Sequence, residues 1–325
     1  MQPFNIVNND GFQHLMKTVV PLYKLPSRDT FSRRLDNKYE AIAARVKEKL
    51  SCTEGLTITT DIWSDTMQTR SFLRVTIHFA DKMKISSITL GVYDLTERHT
   101  ANYLAEKLTE TVINEWNIND KIITIIYDNG ANVKNAMTDH LRKDHHPCVA
   151  HTLNLSIKEA LNGNAMLKLL ISKCKALVAH FKHSALATYK LRQSQEQMGL
   201  PVLKVKQAVD TRWNSVLLMM ERLLEIKDPL SVAVYNLPSS PDTLDASHWV
   251  IIRDITKIMK PLELMTIELS GEKYVTMSSI IPLVRGLQFQ LKNMSPTTAE
   301  GMWLQKFLIV IIGRHLGHFE TNKHA

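Results

Sequence analysis

Cysteine is scarce in this chain of 325 residues: three thiols, at positions 52, 148 and 174. Three cannot build a disulfide framework, so a reducing compartment is expected. No Cys-x-x-Cys pair occurs, which excludes a complete zinc finger within these residues. Long apolar runs are also missing. None approaches the roughly 20 residues that cross a bilayer, and no membrane partner is expected. The longest late run, Phe307 to Ile312, reads instead as a buried helix segment. The opening residues Met1-Gln2-Pro3-Phe4-Asn5 lack the pattern of a signal peptide. There is no compact Lys/Arg run of the kind that serves nuclear import, no fixed-period repeat and no low-complexity tract. What remains is an ordinary globular composition, 44% hydrophobic and 22% charged, with length for two or three domains.

Charge is present in excess of one sign. The net charge is +8, and its distribution is uneven. Residues 141–215 hold 12 Lys/Arg against 4 Asp/Glu, a local balance of +8 that equals that of the whole chain. His145, His146, His151, His180 and His183 lie in the same stretch. A concentrated basic region points to a polyanionic partner, DNA foremost. A lysine-rich solvated helix face is the alternative.

Residues 1–50 read as a helical segment, with Ser27 or Asp29 capping a helix from about Thr30 to Leu50. Phe31, Leu35, Tyr39, Ile42 and Val46 follow its apolar spacing. Strands are expected at Leu56–Ile62, Phe72–Ala80 and Ile85–Tyr93, close enough to form an antiparallel meander. Thr100 can cap a helix over 101–116. Ile122–Tyr127 is a continuous apolar run, as in a central strand covered on both faces. A helix over 131–141 follows, then a short strand at Pro147-Cys148-Val149-Ala150. Beyond residue 155 no strand is expected: apolar residues recur at helical spacing through 153–182, 214–236, 247–269 and 277–292, with breaks near Gly199-Leu200-Pro201, Pro238 to Pro241, Ser270-Gly271 and Ser295-Pro296. The order β-β-β-α-β-α-β-α describes a mixed sheet flanked by helices, a ribonuclease H-like α/β arrangement. In it the first and fourth strands are central neighbours.

Each of those two strands is expected to end in an aspartate, Asp61 and Asp128. A buried carboxylate is costly unless paired or bound to metal, and two acids on neighbouring strand ends can hold divalent cations. Each acid can instead cap a following turn, a role that Asp128-Asn129-Gly130 suits. Asp65 is either a helper or an exposed turn residue.

Six blocks resemble the hAT-type DNA transposases and the host proteins descended from them, with particular likeness to transposase-derived zinc-finger BED-type proteins. They are Pro26-Ser27-Arg28, Thr59 to Ser64, Tyr127 to Asn132, Cys148 to Leu155, Asp210 to Ser215, and Leu269 to Thr276. They stand in family order over nearly the whole chain. The resemblance implies a ribonuclease H-like core, here residues 51–160, followed by an all-helical insertion domain, residues 161–325. It implies a DDE triad that binds Mg2+ or Mn2+ for strand cleavage and transfer, with Asp61 and Asp128 as its first two acids. The third acid of active relatives lies in a C-terminal block beyond the insertion domain, and Glu263, Glu268 and Glu272 do not match it. The BED finger that would carry zinc, and the C-terminal dimerisation region, are expected outside these residues.

Cys148 and His151 make a C-x-x-H pair. A zinc site needs four ligands, and no second pair sits nearby, so a packing role or a place beside the site is expected. The resemblance implies that Trp213 stacks on a base near the cleavage site and that Arg212 contacts phosphate. The alternative is that Trp213 anchors the core of the helix through Val216, Leu217 and Met220. Trp63 is expected in the core. Three functional readings stay open. The first is a domesticated, nuclear, DNA- or chromatin-associated protein with an incomplete core. The second is a fragment of an active, homodimeric transposase. The third is an interaction scaffold without DNA contact.

Overall fold

A computed structural model describes residues 3–65, 69–82, 84–209, 211–239, 242–271, 276–317 and 319. The chain divides into two compact units. One comprises residues 1–83, 88–125 and 135–144; the other comprises residues 84–87, 126–134 and 145–325.

The first unit opens with α1 (Asp10–Val19) and α2 (Arg28–Ser51). Ser27 is the cap of α2, its hydroxyl accepting from the Thr30 amide at 3.2 Å. At the other end, the Lys121 ammonium donates to the Leu50 and Ser51 carbonyls, at 2.7 Å each. A cation placed there satisfies orphan carbonyls and opposes the helix dipole. The expected apolar stripe of α2 forms on a helix, but Leu35, Tyr39 and Ile42 remain exposed and only Leu50 is buried.

The strands are β1 (Leu56–Asp65), β2 (Arg70–Asp81), β3 (Lys84–Leu95), β4 (Ile122–Tyr127) and β5 (His145–Pro147). They form one mixed sheet in the order β3-β2-β1-β4-β5, so β1 and β4 are neighbours as a ribonuclease H-like core requires. β1 and β2 pair antiparallel, from Leu56 opposite Phe79 to Asp65 opposite Arg70. Leu73, Val75, Ile77 and Phe79 are buried at period two, the signature of a strand with one face on the core. Two boundaries differ from expectation. β1 does not end at Asp61 but runs on to Asp65, because the ladder with β2 continues. β5 lies two residues earlier than expected, since Cys148 serves as the N-cap residue of the next helix. The helix after Thr100 is α3 (Ala101–Leu108), prolonged by a π-helical turn over Thr109–Asn114; α4 (Ala131–Asn135) is prolonged likewise over Ala136–Leu141.

The second unit is helical beyond β5: α5 (Val149–Asn162), α6 (Ala165–His183), α7 (Ala185–Gln197), α8 (Asn214–Glu225), α9 (Lys227–Tyr235), α10 (Ala246–Leu269), α11 (Ile280–Lys292) and α12 (Ala299–Leu316). Their apolar faces share one core, which includes Leu153, Leu167, Phe181, Leu217, Ile255, Leu287, Leu308 and Ile312. Asp254 of α10 is buried, and its Oδ2 accepts from the amides of Thr297 and Thr298 at 2.8 Å each and from both hydroxyls. It thereby fixes the start of α12. Gly301 is needed at this point: a Cβ would stand 2.9 Å from the Pro296 side chain and the Thr298 hydroxyl, and 3.0 Å from Asp254 Oδ2.

Candidate functional site

Along β1 the residues alternate between faces. Leu56, Ile58 and Thr60 are buried, while Asp61, Trp63 and Asp65 share the opposite face. Asp61 is therefore exposed, inside a strand, and not a buried acid at a strand end. Its cross-strand partner is Arg74, whose guanidinium donates to Thr89 Oγ1 at 3.2 Å. Glu272, Asp210 and Tyr274, within the blocks named above, lie outside the described residues.

Trp63 is not a core residue. It is 39% exposed and stacks on Phe72, its partner across the ladder, at 5.5 Å between centroids. Arg70 lies over the Phe72 ring, 5.1 Å from its centroid, and pairs with Asp94 at 2.6 Å. Strand alternation carries this information in the sequence: positions 61, 63 and 65 must share a face. The buried positions before Asp61 (Leu56, Ile58 and Thr60) draw attention to the other face.

Asp128 follows the last residue of β4 and belongs to the second unit. Its Oδ1 accepts from the Gly130 amide at 3.4 Å, the turn-capping geometry of an Asp-Asn-Gly sequence. Burial pushes the Tyr127 phenol up, and the adjacent Asp128 carboxylate pushes it the same way. The Tyr127 carbonyl receives the Cys148 amide at 2.7 Å. Asn129 turns back to Thr152 of α5 at 3.0 Å.

Cys148 precedes α5 and His151 sits in its first turn; both are half-buried. Among the described residues no group of three or more His, Cys, Asp or Glu side chains is placed to hold a metal ion. A divalent cation of the Mg2+ class takes about six oxygen ligands, with carboxylates balancing its charge. Among the described residues, Asp61 and Asp128 by themselves supply fewer oxygens than such an ion takes, and Cys148 and His151 supply two of the four ligands of a zinc site.

Trp213 is 1% exposed, within the core of the helical unit beside Val216, Leu217 and Met220. Its ring therefore has no face open to a base, and the core-anchor alternative describes it. Its amide is held by Asn154 Oδ1 of α5 at 3.2 Å, a link between two of the sequence blocks that spacing alone does not reveal. Arg212, by contrast, is exposed, as are Lys204 and Lys206 in the segment before it.

Two family models match the chain. The ZBED1 RNase-like domain covers residues 59–154, and the ZBED1 RNase-like helical domain covers residues 146–258. Human zinc finger BED domain-containing protein 4 is 26% identical over 92% of this chain and 26% of its own length. Human zinc finger BED domain-containing protein 6 is 25% identical over 90% of the chain and 31% of its own length. The transposable element Hobo transposase of Drosophila melanogaster is 26% identical over 69% of the chain and 35% of its own length. The chain thus spans about a quarter to a third of the length of these relatives. With the RNase-like sheet followed by the helical unit, the chain belongs to the hAT-type, transposase-derived family.

Proposed function

We propose that the chain is the RNase-like and helical part of a domesticated, nuclear, DNA-associated hAT protein, with Asp61 and Asp128 as the first two acids of an incomplete DDE core. The observation that carries the reading is the Trp63–Phe72 stack, open to solvent on the Asp61 face with Arg70 beside it. An exposed ring offers a stacking platform worth roughly 1–3 kcal/mol per base, and a guanidinium alongside suits phosphate. The exposed cations Lys204, Lys206 and Arg212 support phosphate contact in the helical unit. The match of residues 59–154 to the RNase-like family model, which takes in both acids, supports treating them as a pair. In this reading Mg2+ or Mn2+ would need a further carboxylate, zinc belongs to a BED finger and not to Cys148 and His151, and the whole protein is a homodimer.

The test is fluorescence anisotropy with a DNA hairpin carrying an unpaired tip and with a plain duplex, over a salt series. Binding should weaken as salt rises, with a slope shallower by about 1 in Arg212→Glu. Trp63→Ala should weaken hairpin binding by roughly 1–3 kcal/mol and leave duplex binding unchanged. Neither DNA should be cut in Mn2+. Absence of binding to either DNA at low salt would favour the scaffold reading. Cutting that Asp61→Asn abolishes would establish an active transposase core instead.

A further inference from the structure

We infer that His315, in the last turn of α12, is a positioning residue for the loop that carries Asp128, acting through Ser156 and Thr152 of α5. The inference rests on reading Asp128 as a site acid. His315 Nδ1 lies 2.8 Å from Ser156 Oγ, although 159 residues separate the two in sequence. Ser156 is fully buried, and its hydroxyl is also 2.8 Å from the Thr152 carbonyl. One hydroxyl has one proton. Both contacts are made together only when Ser156 donates to the carbonyl and accepts from a His315 Nδ1–H. The ring tautomer is set by the network.

One turn earlier the same logic repeats. The Thr152 hydroxyl is 2.9 Å from the Cys148 carbonyl and 3.0 Å from Asn129 Nδ2. It donates to the first and accepts from the second. Asn129 is thereby fixed between Asp128 and Gly130, whose amide returns to Asp128 Oδ1. Polar side chains at 152 and 156, on the buried face of α5, are costly unless paired. Here the pairing leads to two places, the loop after β4 at one end and α12 at the other. Removing His315 leaves Ser156 one partner short and frees the α5 face that holds Asn129.

The experiment is NMR on the full chain, with labelled histidine for the ring tautomer and amide exchange for the loop. The wild type should show His315 as the Nδ1–H form. Ser156→Ala should shift it toward the Nε2–H form and speed Gly130 exchange roughly tenfold, as loss of one net hydrogen bond implies. His315→Phe should speed Gly130 exchange similarly, and Ser156→Thr, which keeps the hydroxyl, should restore wild-type exchange. Amides in the middle of α12 should be unchanged in all variants. An Nε2–H ring in the wild type overturns the inference, as does Gly130 exchange unaffected by either loss. So does equal acceleration throughout α12, which would make His315 a packing residue. Neither readout involves DNA or metal, so failure of the DNA-associated reading is seen separately.

Discussion

The sharpest quantitative expectation concerns Asp254. Its carboxylate, 6% exposed, gathers two amides and two hydroxyls at the start of α12. Asp254→Ala removes the acceptor and leaves the donors. The hydroxyls can rotate to water, and Thr297 is exposed enough for its amide to be resolvated. The half-buried Thr298 amide is the group left stranded. An unsatisfied buried donor costs about 1–3 kcal/mol, and hydrogen bonds to a charged acceptor exceed neutral ones, so about 2–4 kcal/mol is expected in total. Asp254→Asn keeps the shape and one acceptor oxygen and should cost about half as much. Acid provides a second handle. Burial pushes the Asp254 carboxyl up, but the Thr298 and Thr297 donors outweigh it, and its pKa falls below the usual carboxylate value. The folded-state pKa is lower than the unfolded one, near 3.9, so the unfolded chain binds more protons. The stabilisation is therefore full above the unfolded value and is lost as pH falls through the folded one. Urea unfolding followed by far-UV circular dichroism, at neutral pH and then stepwise into acid, measures both. The gap between wild type and Asp254→Ala should be widest at neutral pH and close on acidification. A gap under about 0.5 kcal/mol at pH 7, the range of an ordinary surface change, would refute the reasoning. So would a gap that acid leaves unchanged.

Two further expectations concern other parts of the chain. Lys121→Met removes both carbonyl contacts at the end of α2 and should speed amide exchange in the last turns of that helix, at a cost of about 1–2 kcal/mol. An effect confined to β4 would contradict that assignment. Burial pushes the Cys174 thiol up to about 12, so it should resist a thiol reagent at neutral pH until the helical unit unfolds, while exposed Cys52 reacts at once. Prompt labelling of two or more thiols including Cys174, identified by peptide mapping, would count against the burial.

Sequence pattern located the strands, the order that makes β1 and β4 neighbours, and the Thr100 and Ser27 caps, because these depend on local spacing and short-range hydrogen bonds. It misplaced what depends on how far a ladder continues. Nothing local to Asp61 announces that β2 keeps pairing as far as Arg70; strand alternation puts both Asp61 and Trp63 on the exposed face. For Trp213 local spacing offered both a base-stacking and a core-anchor reading, and the second holds because α5, α8 and the rest of a core assembled from distant segments enclose the ring. The π-helical extensions after α3 and α4 carry no propensity signal, because a π turn arises from tertiary fit and not from residue preference. The Ser156–His315 contact spans too much sequence to be seen without the fold.

The exposure of α2 has a consequence for cooperativity. A helix of 24 residues extends about 36 Å, yet this one contributes a single side chain, Leu50, to the buried interior. The free energy of opening its outer turns is therefore set by helix propensity and the Ser27 cap and hardly by the core. Melting should travel inward from Arg28 and stop where the Lys121 ammonium grips the last carbonyls. The boundary of the cooperative folding unit lies at that grip, at the C-terminal end of the helix.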